Sequence, residues 1–202
     1  MTQTPPLVLA SQSKIRGDVL RAAGLDILQV SAGVDEDSVK ESLRAAGASP
    51  RTQADALAEL KAIRGCAKAP ADAFVIGADQ MLALGTEVFD KPADLDEART
   101  NLKRLRGETH TLICACVIAK NGAPIWRTLV EPRLTMRAFS DAFLEDYLTE
   151  EGDAVLSSVG AYKLEGRGAQ LFSAIEGDYF SILGLPLLPL LAYLREHGIA
   201  QT

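Results

Sequence analysis

The order of the apolar segments constrains the fold of this chain more than any other feature. In the first half, short apolar runs typical of buried strands alternate with segments of helical spacing. The predicted strands are Leu7–Ala10, Ile27–Ser31 and Ala73–Ala78, and the predicted helices are Lys14–Ala23 and Thr52–Cys66. This alternation indicates a sheet with helices packed against it.

The middle of the chain is dominated by hairpins. The long strand-like segments Thr109–Ala119 and Ile125–Arg137 flank Asn121-Gly122, a dipeptide typical of a tight hairpin turn. A second hairpin is predicted over Met81–Phe89, with its turn at Gly85. Hairpins combined with alternating strands and helices predict an α/β fold, in which a mixed sheet is flanked by helices in two unequal lobes. We expect one domain, residues 1–202.

Four further elements and two polar segments complete the prediction. The elements are a helix over Leu95–Leu105 capped by Asp94, a helix from Ser140 to about Leu148, a strand at Tyr179–Leu183, and a helix between Pro186 and Gly198. The acidic segment Asp35-Glu36-Asp37 is predicted as a loop, and Gly160–Gly168 is a glycine-rich segment.

Composition excludes several classes of protein. Hydrophobic residues make up 48% of the 202, enough for a substantial core. A net charge of −6 argues against a nucleic-acid binder, which needs a basic surface. Three cysteines form no secretory disulfide framework, the start resembles no signal peptide, and the longest uncharged stretch is too short to cross a bilayer. We expect a cytoplasmic protein that binds neither nucleic acid nor membrane.

The motif Ser11-x-Ser13-x-x-Arg16 lies where the first predicted strand passes into the first predicted helix. Backbone N–H groups and the helix dipole attract phosphate at such a junction, and Arg16 can add a bidentate contact. Capping serines are common, so the alternative is that Ser13 only caps the helix and Arg16 is solvated.

Asp79 and the acidic cluster at residues 35–37 each have a functional interpretation and a purely structural one. Asp79 follows an apolar strand, where a carboxylate can bind a divalent metal or accept a proton from water. It can equally be an ordinary turn residue. The Asp35-Glu36-Asp37 cluster can ligate Mg²⁺, although most such clusters are solvated.

Two lysines could supply positive charge near these carboxylates. Lys61 lies at the border of the apolar face of its predicted helix, and Lys91 precedes Pro92 after the second hairpin. Either lysine can instead be an ordinary surface residue, with Lys61 snorkelling to solvent. Taken together, the cations and carboxylates are those that a metal-dependent phosphoanhydride hydrolase needs.

These motifs, in this order, resemble the Maf family of nucleoside triphosphate pyrophosphatases from end to end. The matching segments are Leu-Ala-Ser11-x-Ser13-x-x-Arg16, Val34-Asp35-Glu36, Leu57-Ala-Glu59-Leu60-Lys61-Ala62, Gly77-Ala-Asp79, Lys91-Pro92, Gly160-Ala-Tyr162-x-x-Glu165-Gly166-x-Gly168 and Gly184-Leu-Pro186-Leu. Each motif is weak alone, but the ordered set is highly specific.

The resemblance implies hydrolysis of a nucleoside triphosphate to a monophosphate and pyrophosphate, with a divalent cation, Mg²⁺ or Mn²⁺. It implies an elongated fold with its site in a cleft, similar to that of inosine triphosphate pyrophosphatases, a house-cleaning role and a homodimer. Asp79 takes the position of the catalytic acid or base, acting on water directly or through the metal. Glu36 takes that of a carboxylate serving the metal or the water.

The remaining candidate residues are expected to compensate the negative charge of the phosphates. Ser11, Ser13, Arg16, Lys61 and Lys91 are expected to bind the triphosphate, because catalysis at a phosphorus shielded by anionic oxygens rests on compensating charge.

Base specificity is expected to depend on Ile15, Gln80 and Glu165. Gln80 and Glu165 resemble the 7-methyl-GTP branch of the family, and a carboxylate at Glu165 can accept two hydrogen bonds from guanine. Ile15 matches neither branch, and it offers no aromatic surface for a methylated base. The alternative is a pyrimidine or broad-specificity enzyme.

Two rival functions belong to other classes. One is a phosphomonoesterase or sugar-phosphate hydrolase that uses the same cations. The other is a non-enzymatic regulator of cell division.

Overall fold

The structure, a computed structural model, describes residues 4–201 and has a mixed α/β fold. The strands in this range are β1 Leu7–Ala10, β2 Leu28–Val30, β3 Phe74–Leu84, β4 Glu87–Phe89, β5 Thr109–Lys120, β6 Ala123–Val130, β7 Arg133–Met136 and β8 Phe172–Glu176. The α-helices in this range are α1 Lys14–Ala22, α2 Glu36–Ala45, α3 Pro50–Cys66, α4 Leu95–Leu105, α5 Asp141–Glu151, α6 Tyr179–Ile182 and α7 Leu187–Glu196. Two 3₁₀ helices, Gly152–Ser157 and Arg167–Leu171, lie between α5 and β8.

The described strands form one hydrogen-bonded sheet in the order β2-β1-β3-β5-β7-β8, with β4 paired to β3 and β6 paired to β5. The pairings of β1 with β2 and β3 are parallel, whereas those of the two hairpins are antiparallel. The predicted mixed sheet flanked by helices is therefore confirmed. Over residues 4–201, no helix combines the length and apolar character needed to cross a membrane.

The chain divides into two compact units. The first comprises the described residues of Met1–Asp79, Cys114–Val130 and Tyr179–Thr202, and the second comprises Gln80–Ile113 and Glu131–Asp178. The prediction of one domain over residues 1–202 stays a prediction.

The core of the first unit forms around β1, because every residue of this strand is buried. Leu9 of β1 and Ile76 of β3 pack with Leu20 of α1 and Leu190 of α7 in one apolar cluster. Helix α3 lies close to β1, since a Cβ added at Gly65 would lie 2.5 Å from the Cβ of Ala10.

The second unit contains a buried polar pair among aromatic rings. His110 on β5 is fully buried, and its Nε2 lies 2.8 Å from the hydroxyl of Tyr162. The ring of Phe172 packs edge-on against Tyr162. Nearby, the hydroxyl of Tyr147 donates to the carbonyl of Ala161 at 3.1 Å.

The structure corrects the predicted acidic loop. Asp35 is the N-cap of α2, where its side chain accepts a hydrogen bond from the backbone N–H of Ser38 at 3.2 Å, and Glu36 and Asp37 form the first turn. Acidic residues favour a helix start because they compensate the positive end of the helix dipole. Hydrogen bonds from Ser38 also lower the pKa of Asp35.

One predicted strand and the bounds of two others are also wrong. The apolar run Tyr179–Leu183 forms the short helix α6, because a run this short has no periodicity that separates a strand from a helix. The segment Ile125–Arg137 is divided between β6 and β7, with Pro132 in the interruption. Strand β3 does not end before Asp79 but continues through it to Leu84.

Candidate active site

Asp79 lies in the middle of β3 and is buried, with 4% of its surface exposed. Its Oδ1 accepts a hydrogen bond from Lys61 Nζ at 2.7 Å. The same Nζ lies 2.9 Å from Oε1 of Glu36, the first residue of α2. One ammonium group therefore bridges two carboxylates that come from different elements.

The close approach of α3 to β3 brings Lys61 to Asp79. A Cβ added at Gly77 would lie 2.1 Å from the carbonyl oxygen of Ala58 and 2.5 Å from the backbone nitrogen of Ala62. Gly77 and Asp79 are two residues apart and so share one face of the strand. Helix and strand therefore touch backbone to backbone beside the carboxylate, and Lys61 is buried against it rather than exposed.

The second oxygen of Asp79 is an orphaned acceptor. Oδ2 is buried and accepts no hydrogen bond from any described residue. An unsatisfied buried oxygen is costly, so such a group usually has a functional partner such as a water or an ion. Oδ2 therefore has the lone pairs to accept a hydrogen bond or coordinate an ion, and no described residue uses them.

The carboxylates of Asp79 and Glu36 are the candidate ligands for the expected divalent cation. Within residues 4–201, no three His, Cys, Asp or Glu side chains are grouped as a metal site made by protein alone. Mg²⁺ is commonly held by one or two carboxylates together with substrate phosphates and waters. A buried orphaned oxygen beside a second carboxylate, 44% exposed at its side chain, fits an ion shared with a substrate.

Arg16 is tied to the backbone on two sides. Its Nε donates to the carbonyl of Gly184 at 2.7 Å, and its Nη1 donates to the carbonyl of Ala78 at 2.8 Å. Ala78 directly precedes Asp79, so the guanidinium is fixed against the backbone immediately before Asp79. Arg16 is therefore not a freely solvated residue, and its Nη2 donates to no described residue.

Ser11 and Ser13 organise the turn between β1 and α1. The hydroxyl oxygen of Ser11 accepts from the backbone N–H of Ser13 at 3.2 Å, and it lies 3.5 Å from Nη1 of Arg16. Ser13 is the N-cap of α1, and its hydroxyl oxygen accepts from the backbone N–H of Arg16 at 3.4 Å. The capping role of Ser13 is therefore present, and it brings both hydroxyls to the arginine.

Gly184 is a residue of the site that sequence reasoning did not identify. It has a φ of +92°, a backbone conformation that favours glycine, and an added Cβ would lie 3.1 Å from Arg16 Nε. The signal was present in the motif Gly184-Leu-Pro186-Leu, but no chemistry could be attached to a backbone carbonyl.

The remaining predicted residues lie elsewhere in the chain. Ile15 is half-buried on α1, next to Arg16. Gln80, Lys91 and Glu165 belong to the second unit, where Lys91 and Glu165 are exposed and Gln80 is half-buried. The structure brings together Ser11, Ser13 and Arg16, and it brings together Glu36, Lys61 and Asp79. The roles of Lys91, Gln80, Glu165 and Ile15 stay predictions.

The sequence similarity to known proteins covers nearly the whole chain. The chain is 57% identical to a nucleoside triphosphate pyrophosphatase of Hyphomonas neptunium, over 97% of this chain and 98% of that protein. It is 52% identical to one of Caulobacter vibrioides, over 96% of each. It is 48% identical to a 7-methyl-GTP pyrophosphatase of Rhizobium meliloti, over 96% of this chain and 97% of that protein.

The model of one protein family matches residues 6–197, which include every site residue discussed above. With that match and relatives at about half identity over nearly their full lengths, the chain belongs to the family of Maf-like proteins.

Proposed function

We propose that this protein hydrolyses a nucleoside triphosphate to the monophosphate and pyrophosphate, with Asp79 as the general base. The observation that carries the proposal is the buried Asp79, which has one oxygen bound by Lys61 and the other without a partner among the described residues. The relatives named nucleoside triphosphate pyrophosphatase support the reaction class.

In this mechanism the two oxygens of Asp79 have different tasks. Lys61 donates to Oδ1, which fixes the plane of the carboxylate and compensates its charge. Oδ2 remains as the acceptor that orients a water molecule and takes its proton during attack on phosphorus. Burial excludes competing water, so the water at Oδ2 is held in one orientation.

The cationic groups of the site would bind the phosphates and stabilise charge on the departing pyrophosphate. Arg16 is already oriented by two carbonyls, so its guanidinium pays little further entropy on binding phosphate. Ser11 and Ser13 can donate their hydroxyl protons to phosphate oxygens. Lys91 is proposed to contribute a further positive charge.

A divalent cation, Mg²⁺ or Mn²⁺, would be held by Glu36 together with the substrate. In the alternative arrangement Oδ2 of Asp79 would also hold the cation, and Asp79 would then act on the water through the metal rather than directly. When bound, the cation neutralises negative charge on the phosphates. Lys61 keeps the two carboxylates oriented toward each other.

A nucleoside triphosphate with a guanine-type base is the proposed substrate. Glu165 could accept hydrogen bonds from the N1–H and N2 amino groups of guanine, and Gln80 and Ile15 are proposed to contribute to the same specificity. One relative is named 7-methyl-GTP pyrophosphatase, but Ile15 offers no ring for stacking on a methylated base. A pyrimidine or broad-specificity enzyme is the alternative. A cytoplasmic location and a homodimer are part of the same proposal.

A nucleotide panel tests the reaction and the base preference together. Purified protein is incubated with each triphosphate and Mg²⁺ or Mn²⁺, with and without EDTA, and pyrophosphate and orthophosphate are quantified separately. We expect pyrophosphate as the first product, and only with the cation. Orthophosphate as the first product would favour a phosphomonoesterase, and no hydrolysis would favour a regulator that is not an enzyme.

The variant Asp79→Asn tests the base. It retains the size of the side chain but cannot accept a proton as a carboxylate does, so we expect it to lose nearly all turnover while remaining folded. The matched control is Asp26→Asn at an exposed position of the same unit. Near-normal hydrolysis by Asp79→Asn would rule out the assignment.

A further inference from the structure

Gln29 on β2 makes long-range contacts that neither the motifs nor the proposed chemistry involve. Its Nε2 donates to the carbonyl of Ser11 at 2.8 Å and to the carbonyl of Ser13 at 3.0 Å. One amide group thereby binds both carbonyls that flank Gln12. The turn that carries both serines is thus closed by a side chain from a neighbouring strand.

The partners of Gln29 determine which way its amide points. Its Oε1 accepts from Nη2 of Arg21 at 3.1 Å, whereas its Nε2 faces only carbonyl oxygens. Rotating the amide by half a turn would place an oxygen against two carbonyl oxygens and an amino group against a guanidinium. Both contacts would be repulsive, so the amide has a single satisfactory orientation.

Gly17 provides the space for this amide. It is buried on α1, and an added Cβ would lie 2.5 Å from Oε1 of Gln29 and 2.8 Å from Nη1 of Arg21. Any side chain at this position would displace the amide. A glycine inside a helix lowers helix stability, so its presence here is explained by the close contact with Gln29.

We infer that Gln29 is a positioning residue, which holds the Ser11–Ser13 turn in the conformation that binds the phosphates of the substrate. The inference rests on the proposed function. By binding the two carbonyl oxygens, Gln29 keeps these partial negative charges directed to itself rather than toward an anionic ligand. It also fixes Ser11 and Ser13, whose hydroxyls contact Arg16, and Arg16 in turn binds the backbone carbonyl of Ala78.

The test compares phosphate binding, kinetics and stability in Gln29→Met, a neutral variant of similar length that has no N–H donor. Inorganic pyrophosphate with Mg²⁺ is the binding probe, measured by calorimetry, and the best triphosphate of the panel is the kinetic substrate. Loss of two hydrogen bonds to the turn should raise the pyrophosphate Kd and the KM on the order of tenfold. The Tm should fall by only a few degrees, since Gln29 is not in the apolar core and the loss is confined to hydrogen bonds.

Gly17→Ala provides an independent variant. A Cβ at position 17 would meet only the ends of flexible side chains, so the helix should tolerate alanine, and the Tm should be retained or rise because alanine favours a helix more than glycine. The displaced amide should nevertheless weaken pyrophosphate binding, so that stability and binding change in opposite directions. Arg21→Met is the control, because it removes the contact at Oε1 and leaves both donors of Gln29 in place. It should retain the pyrophosphate Kd within about twofold.

Three outcomes would overturn the inference. The first is an unchanged Kd and KM in both Gln29→Met and Gly17→Ala. The second is a parallel loss of Tm and kcat with KM unchanged, which would indicate a structural role only. The third is a wild-type protein that neither binds pyrophosphate nor hydrolyses any triphosphate, which is the separate failure of the proposed function.

Discussion

Acidification should destabilise the second unit through His110, which is fully buried. Its Nε2 is bound to the hydroxyl of Tyr162, and its Nδ1 has no hydrogen-bond partner among the described residues. The ring also packs near Phe172. A proton added to this imidazole would place a charge in apolar surroundings with no counter-ion in contact, and burial accordingly lowers its pKa from 6.5 to about 4.

The sign and size of the effect follow from the two pKa values. Between pH 6.5 and 4 the unfolded chain binds a proton at His110 that the folded protein does not bind, so protons favour unfolding. The neutral histidine therefore supports the fold fully above pH 6.5, and this support declines as the pH falls toward 4. The difference between the two pKa values corresponds to about 3 kcal/mol in the free energy of unfolding.

Urea unfolding of the wild type and of His110→Gln, from pH 7.5 to pH 4, measures this contribution. Glutamine does not titrate, and its amide can still hydrogen-bond the hydroxyl of Tyr162. The carboxylates titrate alike in both proteins, so the difference between the two curves isolates the histidine. We expect the wild type to lose about 3 kcal/mol more than the variant over this range. Parallel curves would refute the reasoning, because they would mean that the buried imidazole accepts its proton without cost.

Three further variants test the construction of the site. Gly77→Ala should lower the free energy of unfolding by about 3 kcal/mol, because its methyl group meets the backbone of α3; an unchanged urea midpoint would contradict that close contact. Lys61→Met should abolish turnover and lower stability by about 3–5 kcal/mol, because it leaves Asp79 buried without its counter-charge; normal kcat with an unchanged Tm would contradict this. Arg16→Lys retains the charge but cannot bind the carbonyls of Ala78 and Gly184 together, so KM should rise roughly tenfold, and an unchanged KM would show that the fork is not needed.

Local elements were the most predictable part of the fold. The hairpin at Asn121-Gly122 is present, and both residues have the positive φ that such a turn requires. Helix α4 begins at the predicted cap, where Asp94 accepts from the backbone N–H of Glu97 at 2.8 Å. These features depend on atoms a few residues apart, so the residue types alone carry the signal.

Local residue patterns gave a wrong prediction where the same pattern is compatible with two kinds of secondary structure. The segment Tyr179–Leu183 is too short for its apolar residues to separate a strand from a helical turn. For Asp35-Glu36-Asp37, an acidic cluster is compatible with a loop and with the start of a helix, and the cap at Asp35 decides for the helix.

The site residues could be proposed from the sequence, but their contacts could not. From the sequence, Lys61 was equally compatible with a surface position. In the structure Gly77 allows α3 to approach β3 closely, and Lys61 is buried between two carboxylates. Gln29 carried no recognisable motif, because its role depends on a strand that lies beside the turn in space.

The amino-acid sequence by itself determined the family, the alternation of strands and helices, the tight turns and the set of charged residues available for chemistry. The tertiary structure alone decided that Lys61 binds Asp79 and Glu36, that Arg16 binds a carbonyl 168 residues away at Gly184, and that one oxygen of Asp79 remains unpaired among the described residues. The physical reason is range. Turns and caps are decided by neighbouring atoms, whereas a buried charge acquires its partner only when distant segments pack together.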